Sequence, residues 1–209
     1  MVGLGAGLSV SLPSLKDGPT EDRLQPRSVL VLGGSSALGA SAIQLLRLAL
    51  PDSIILTTVS TKHQKLVTEL GVQHALNRTS PSLVSDVKAV TPDKKGVDAI
   101  FDAVGAGASD RHIFEVFQED GPKRYAQVWT GDDEIKVPKG VDSVLFRSRD
   151  FMQIDGGKNI FLALEKLLAE GKYKAPLPIR RVDGGFEALE EGLDLMRKGV
   201  SGEKLVVLA

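Results

Sequence analysis

The stretch Val29-Leu-Val-Leu-Gly33-Gly34-Ser35-Ser36-Ala37-Leu38-Gly39 decides how this chain folds. Four apolar residues run into a glycine pair, two serines and a third glycine, and a helical pattern starts at once. The order is that of a buried strand, a tight turn and the first turn of a helix. Such a turn presents unpaired backbone N–H groups at the positive end of the helix dipole, a setting that suits a phosphate or other anion. Aligned on Gly34-x-Ser36-x-x-Gly39, the turn keeps the outer glycines of a dinucleotide fingerprint and carries serine at the middle one. Serine retains a hydroxyl for phosphate but hinders close backbone approach. The plain alternative is an ordinary strand-to-helix turn without a ligand. The strand before it and the helix after it favour binding.

Working outward, the chain alternates strand and helix. Leu38, Ala42, Leu45 and Ala49 recur at helical spacing until Pro51. Ile54–Val59 reads as the second strand, Lys62–Leu70 as a helix stopped by Gly71, Val72–Leu76 as the third strand and Ser82–Val90 as a helix. Val97–Phe101 and Arg124–Val128 read as the fourth and fifth strands, with a short helix over Arg111–Gln118 between them, and Val141–Phe146 as a sixth. This rhythm predicts an α/β fold: a doubly wound parallel sheet of Rossmann type. The last forty residues depart from it. A helix over Asn159–Glu170 is followed by extended, basic Lys174–Val182. A second helix carries an apolar stripe of Phe186, Leu189, Leu193 and Met196, and Leu205–Leu208 reads as a strand. Pro13–Pro26 is a polar connector.

Composition narrows the function. With 209 residues, a formal net charge of −1 and no cysteine, the chain has no basic excess for nucleic acid, no disulfide and no thiolate ligand for zinc. His63, His74 and His112 lack metal-ligand spacing. No apolar run is long enough for a membrane span, so a cytoplasmic protein is expected. The sequence contains neither a Walker A string nor a Gly-x-Ser-x-Gly elbow, and neither Tyr125 nor Tyr173 has a lysine four residues on. A decoy, Gly3-Leu-Gly5-Ala-Gly7, lacks a preceding strand.

The end of the second strand bears on the cofactor. An NAD site usually places a carboxylate there for the ribose 2′-hydroxyl. Here Thr58-Val59-Ser60-Thr61-Lys62-His63 offers hydroxyls, an ammonium and an imidazole, which suit the 2′-phosphate of NADPH. The same residues also read as a helix cap and first turn. Asp102-Ala103-Val104-Gly105 and Val128-Trp129-Thr130-Gly131 end two strands and should border the nicotinamide half. Asp102 reads equally as a turn cap, Trp129 more readily as a packing residue, and Asp132-Asp133-Glu134 as a solvated acidic loop.

Together these residues resemble the medium-chain dehydrogenase/reductase superfamily. The likeness rests on Val29–Leu46, Leu70-Gly71-Val72, Gly96-Val-Asp98-Ala-Ile-Phe-Asp102 and, most specifically, the ending Gly184-Gly-Phe-Glu-Ala-Leu-Glu-Glu-Gly-Leu through Ser201-Gly-Glu-Lys-Leu-Val-Val207. That ending is similar to the zinc-free, quinone-oxidoreductase-like branch that includes fungal trans-acting enoyl reductases of polyketide synthesis. The resemblance implies NADPH as cofactor and hydride transfer to an activated alkene, either an enoyl thioester or a quinone-like acceptor, with a polyketide synthase as a partner. A non-catalytic NADPH-binding module is the alternative.

Family contacts carry over to Gly34, Ser35, Ser36, Ala37 and Leu38 for the pyrophosphate, and to Ser60, Thr61, Lys62 and His63 for the 2′-phosphate. Arg78 stands where relatives commonly place a tyrosine. Val128, Trp129 and Thr130 fall beside the nicotinamide, and Gly202 and Glu203 near the chain end. No catalytic proton donor is assigned and no metal is expected. The resemblance divides the chain into a connector (1–27) from an absent GroES-like domain, the NADP(H)-binding domain (28–158), and a helix plus catalytic-domain remnant (159–209). The edge near Val141–Phe146 serves many relatives as a dimer contact; Arg147 and Arg149 at its end leave oligomeric state open.

Overall fold

The computed structural model describes residues 1, 3–8, 10, 25–131, 135–153 and 156–208. Most of the connector and the acidic loop at 132–134 lie outside them. Six parallel strands form one sheet: β1 (Ser28–Leu32), β2 (Ile54–Val59), β3 (His74–Asn77), β4 (Ala99–Asp102), β5 (Arg124–Val128) and β6 (Asp142–Phe146). Their spatial order, β3-β2-β1-β4-β5-β6, is that of the doubly wound dinucleotide-binding fold. The chain reverses direction across the sheet between β1 and β4, and this switch point places a crevice beyond their carboxyl ends.

The sheet is covered on both faces, so β1 is buried along its whole length. Helix α1 (Ala37–Ala49) packs on one face with Ile43, Leu46 and the underlying Val29 and Val31. On the other face, Leu30, Leu32, Leu56 and Ile100 meet Phe114, Val116 and Tyr125. The remaining helices are α2 (Gln64–Glu69), α3 (Leu83–Ala89), α4 (Ala106–Ser109), α5 (Ile160–Ala169) and α6 (Leu189–Lys198).

Two expectations need correction, and the decoy gains a structure. The expected Lys62–Leu70 helix opens with a 3-10 turn, Thr61–His63, before α2. The Arg111–Gln118 segment is a 3-10 helix over Arg111–Val116, started by Asp110 accepting from the His112 N–H. The decoy Gly3–Gly7 is a single π-helical turn. It brings buried Leu4 and Leu8 into the core, and the Gly3 Cα abuts the rings of Phe101 and Phe146.

The tail does not join the main sheet. β7 (Ile179–Val182), α6 and β8 (Lys204–Val207) form a small parallel crossover with its own two-stranded sheet. Helix α6 buries only Gly192, against Val207. Of the expected apolar stripe, Leu189 and Leu193 on α6 and Phe186 in the 3-10 turn before it are exposed, Phe186 at 80%, and Met196 borders a cleft. The segment after α5 is tied to α1 by side chains: Tyr173 donates to Ser41 Oγ at 2.9 Å, and Gln44 exchanges two hydrogen bonds with the Lys174 backbone.

Candidate nucleotide site

The turn after β1 is built by two close approaches. Gly33 has φ +78°, which favours glycine, and its N–H donates to Thr58 Oγ1. The Gly39 Cα presses on the Gly33 carbonyl, so a methyl there would collide with backbone. Ser36 is the N-cap of α1: its Oγ accepts from the Gly39 N–H at 3.0 Å and its own N–H closes the turn onto Gly33. The bond from Gly39 uses an acceptor lone pair of the hydroxyl and leaves its O–H for donation, the role the sequence suggested for it. Among the described residues, no acceptor is hydrogen-bonded to the N–H groups of Ser35, Ala37 and Leu38. Three donors thus stand open at the start of a 13-residue helix.

Of these, Ser35 and Ala37 border a cleft of about 770 Å³ at the carboxyl ends of β1, β2 and β4; Leu38 does not line it. Of the residues singled out from sequence, Ser35, Ser36, Ala37, Ser60, Arg78, Gly202 and Glu203 line it together. Gly34 is packed beneath the turn against Thr57 and Ile43. The Leu38 and Val128 side chains turn away into a separate apolar cavity of about 320 Å³, shared with Phe101, Phe146 and Phe161.

At the β2 end, Ser60 occupies a cap position but makes no side-chain cap hydrogen bond, so its hydroxyl is not spent on the helix. Thr61 and Lys62 are exposed on the following turn, and Arg78 is exposed after β3. Neither Lys62 nor Arg78 forms an ion pair among the described residues. His63 points the other way: its Nε2 lies 2.9 Å from Ser201 Oγ and its ring covers Gly202. Burial, and then the neighbouring Lys62 charge, hold its pKa below the usual histidine value. The turn before β8 therefore forms one wall of the cleft, with Glu203 paired to Arg180 on β7 at 3.1 Å.

The β4 and β5 ends behave differently from each other. Asp102 is fully buried, and its carboxylate accepts from the N–H groups of Val104, Ala106 and Gly107 and from the Tyr125 hydroxyl. It is the cap of the following turn. Trp129, expected to pack, is instead 49% exposed with the Arg147 guanidinium 5.3 Å from its ring centroid. Thr130 is exposed and approaches Gly105. Neither residue lines the cleft.

The sequence reading missed Ser109 and Asp110 on one side of the cleft and Met196 and Lys204 on the other. Ser109 ends α4 and Asp110 caps it; the helix is four residues of Ala-Gly-Ala-Ser with no periodicity to read. The second pair comes from the tail crossover.

A six-stranded parallel sheet with an anion-ready turn at its switch point defines a Rossmann-type nucleotide-binding fold. Comparison with known proteins agrees: residues 37–170 match the family described as zinc-binding dehydrogenase. The chain belongs to that family. It is 31% identical to the trans-enoyl reductase pyiC of Pyricularia grisea, an alignment spanning 99% of this chain and 58% of the relative. It is 28% identical to the trans-enoyl reductase himH of Aspergillus japonicus, over 96% of this chain and 56% of that one. The chain thus spans little more than half the length of these curated relatives.

Among solved structures, the enoyl reductase cyclopropanase CurF of the curacin A pathway superposes with TM-score 0.67 at 24% identity, over 88% of this chain and 55% of its own. A Bacillus thuringiensis protein described as an NADPH:quinone reductase reaches TM-score 0.71 at 16% identity, over 100% of this chain and 60% of its own. These two likenesses speak to fold.

The family's metal does not fit these residues. The chain has no cysteine. Among the described residues, no three of His, Asp and Glu converge as a metal site. Nor is any described helix long and apolar enough to cross a membrane.

Proposed function

We propose that this chain is the NADPH-binding portion of a zinc-independent oxidoreductase that reduces an activated alkene, an enoyl thioester or a quinone-like acceptor. One observation carries the reading: Ser35 and Ala37, whose N–H groups stand open at the turn into α1, share a cleft with Ser60 and Arg78, beside Lys62, and β2 ends without a carboxylate. The donors suit a pyrophosphate. The hydroxyl and the two cations, without an ion pair among the described residues, suit a 2′-phosphate. When bound, NADPH supplies the reducing equivalent as hydride.

The protein's share is to hold the cofactor. Ser35, Ala37 and Leu38 bind the pyrophosphate through backbone N–H groups, while Gly34 and Gly39 keep the turn tight. Ser60, Thr61, Lys62 and Arg78 hold the 2′-phosphate, with His63, Gly202 and Glu203 closing that end. Val128, Trp129 and Thr130, expected beside the nicotinamide, lie at the β5 end outside this cleft, and the reading gives them no cofactor contact. Residues 28–158 are the binding domain, and 159–209 belong with a catalytic domain; the outward-facing stripe on α6 supports that division. The names of the fungal relatives favour an enoyl substrate and, for a protein of that kind, a polyketide synthase as partner.

Titrating the 209-residue chain with NADPH and with NADH, by calorimetry and Trp129 fluorescence, tests the reading. NADPH should bind about tenfold tighter or better. Equal affinity, or binding of neither, overturns it. Binding without turnover of any enoyl thioester or quinone makes the chain a cofactor-binding module alone.

A further inference from the structure

Glu203 is an anomaly in a cleft suited to a 2′-phosphate. It lines the same cleft as Ser60 and Arg78, and a free carboxylate there would repel a phosphate dianion. Its position is fixed from two sides. His63 meets Ser201 and Gly202 just before it, drawing the turn toward the end of β2. Arg180 on β7 then takes the Glu203 carboxylate through one guanidinium nitrogen at 3.1 Å. Both partners are part-exposed, so the pair adds little to fold stability. The register of the small sheet sets Arg180 beside Leu205 and Ile179 beside Lys204, bringing the guanidinium alongside the turn that carries Glu203.

We propose that Arg180 determines cofactor specificity by holding and neutralising Glu203, so that a 2′-phosphorylated ribose is accepted at the mouth of β2. Arg180 works through Glu203, not by direct contact with the phosphate; it is a positioning residue. The inference rests on the nucleotide reading above. It goes beyond that reading by placing a discriminating element 120 residues from Ser60, on the tail crossover rather than in the nucleotide-binding sheet.

Adenosine 2′,5′-bisphosphate and AMP isolate this end of the cleft, since they differ only in the 2′-phosphate. Both are titrated calorimetrically into the wild-type chain, Arg180→Ala, Glu203→Gln and the double variant, each checked for an unchanged melting temperature. Arg180→Ala should weaken the bisphosphate about fivefold to tenfold and leave AMP within about twofold. Glu203→Gln in that background should restore the bisphosphate to within about twofold of wild type, a coupling that only a double-variant cycle reveals. A double variant as weak as Arg180→Ala would make Arg180 a direct phosphate contact and overturn the proposal. Equal loss of both ligands in Arg180→Ala, or no loss, would also overturn it while leaving the nucleotide reading intact. Wild-type chain that binds neither ligand removes both.

Discussion

The Tyr125 hydroxyl donates to Asp102 Oδ2 at 2.7 Å across neighbouring strands β5 and β4, in a pocket where both residues are fully buried. Burial and the adjacent carboxylate push the phenol pKa far up, so this donor keeps its proton throughout the working range. Because the same carboxylate caps three backbone N–H groups, the pair locks the turn after β4 that borders the cleft. Tyr125→Phe should cost about 1.5–3 kcal/mol in urea unfolding, the range for a hydrogen bond to a charged group. Asp102→Ala should cost more, since it strands buried donors.

The Gly39 Cα packs on the Gly33 carbonyl, and the added methyl of Gly39→Ala has no free direction. The helix must shift away from β1, at an expected cost of about 1–3 kcal/mol. Affinity for NADPH and NADH should fall together, because the displaced N–H groups are those proposed to hold the pyrophosphate common to both. A calorimetric comparison that finds one nucleotide spared would contradict this.

Removing the ammonium in Lys62→Ala should act on NADPH alone. We expect about a fivefold to tenfold weaker NADPH complex, NADH affinity within about twofold, and a shallower dependence of NADPH binding on salt. Unfolding should be unchanged, since the side chain is exposed and has no ion pair among the described residues.

His63 links pH to the cleft wall. Its pKa is depressed in the folded chain by burial and by Lys62, so the unfolded chain takes up this proton at higher pH. The His63 contribution to stability is therefore complete above the ordinary histidine value of about 6.5 and is lost as pH falls through the folded value. Melting temperature should drop between about pH 7.5 and about 5.5. In His63→Gln, which cannot titrate, the drop should be smaller; an identical drop in both proteins would rule out His63 as its source.

The nucleotide-binding sheet was largely legible in the sequence. Ile54–Val59 and Arg124–Val128 are strands with the expected bounds, and β1, buried on both faces, shows the unbroken apolar signature Val29–Leu32. The lining of the candidate cleft was legible where it is local: Ser35, Ser36 and Ala37 adjoin one glycine turn, and Ser60 follows the next strand. It was not legible where it depends on distant pairing. Asp102 read equally as ligand contact or cap, and only the placement of Tyr125 and the Val104–Gly107 backbone decides for the cap. Arg180 lay in a basic extended segment with no periodic signal, and its meaning comes from the pairing of β7 with β8.

The tail crossover has a thermodynamic consequence. With Gly192 the only buried position on α6 and most of its apolar stripe facing outward, the unit that carries Ser201–Lys204 has little of its own to resist opening. Amide exchange there should be the fastest of any strand-bearing part of the chain, and a ligand that spans the cleft would slow it. Nucleotide affinity then reports two quantities at once: how well the turn after β1 grips, and how often the far wall is in place to be gripped.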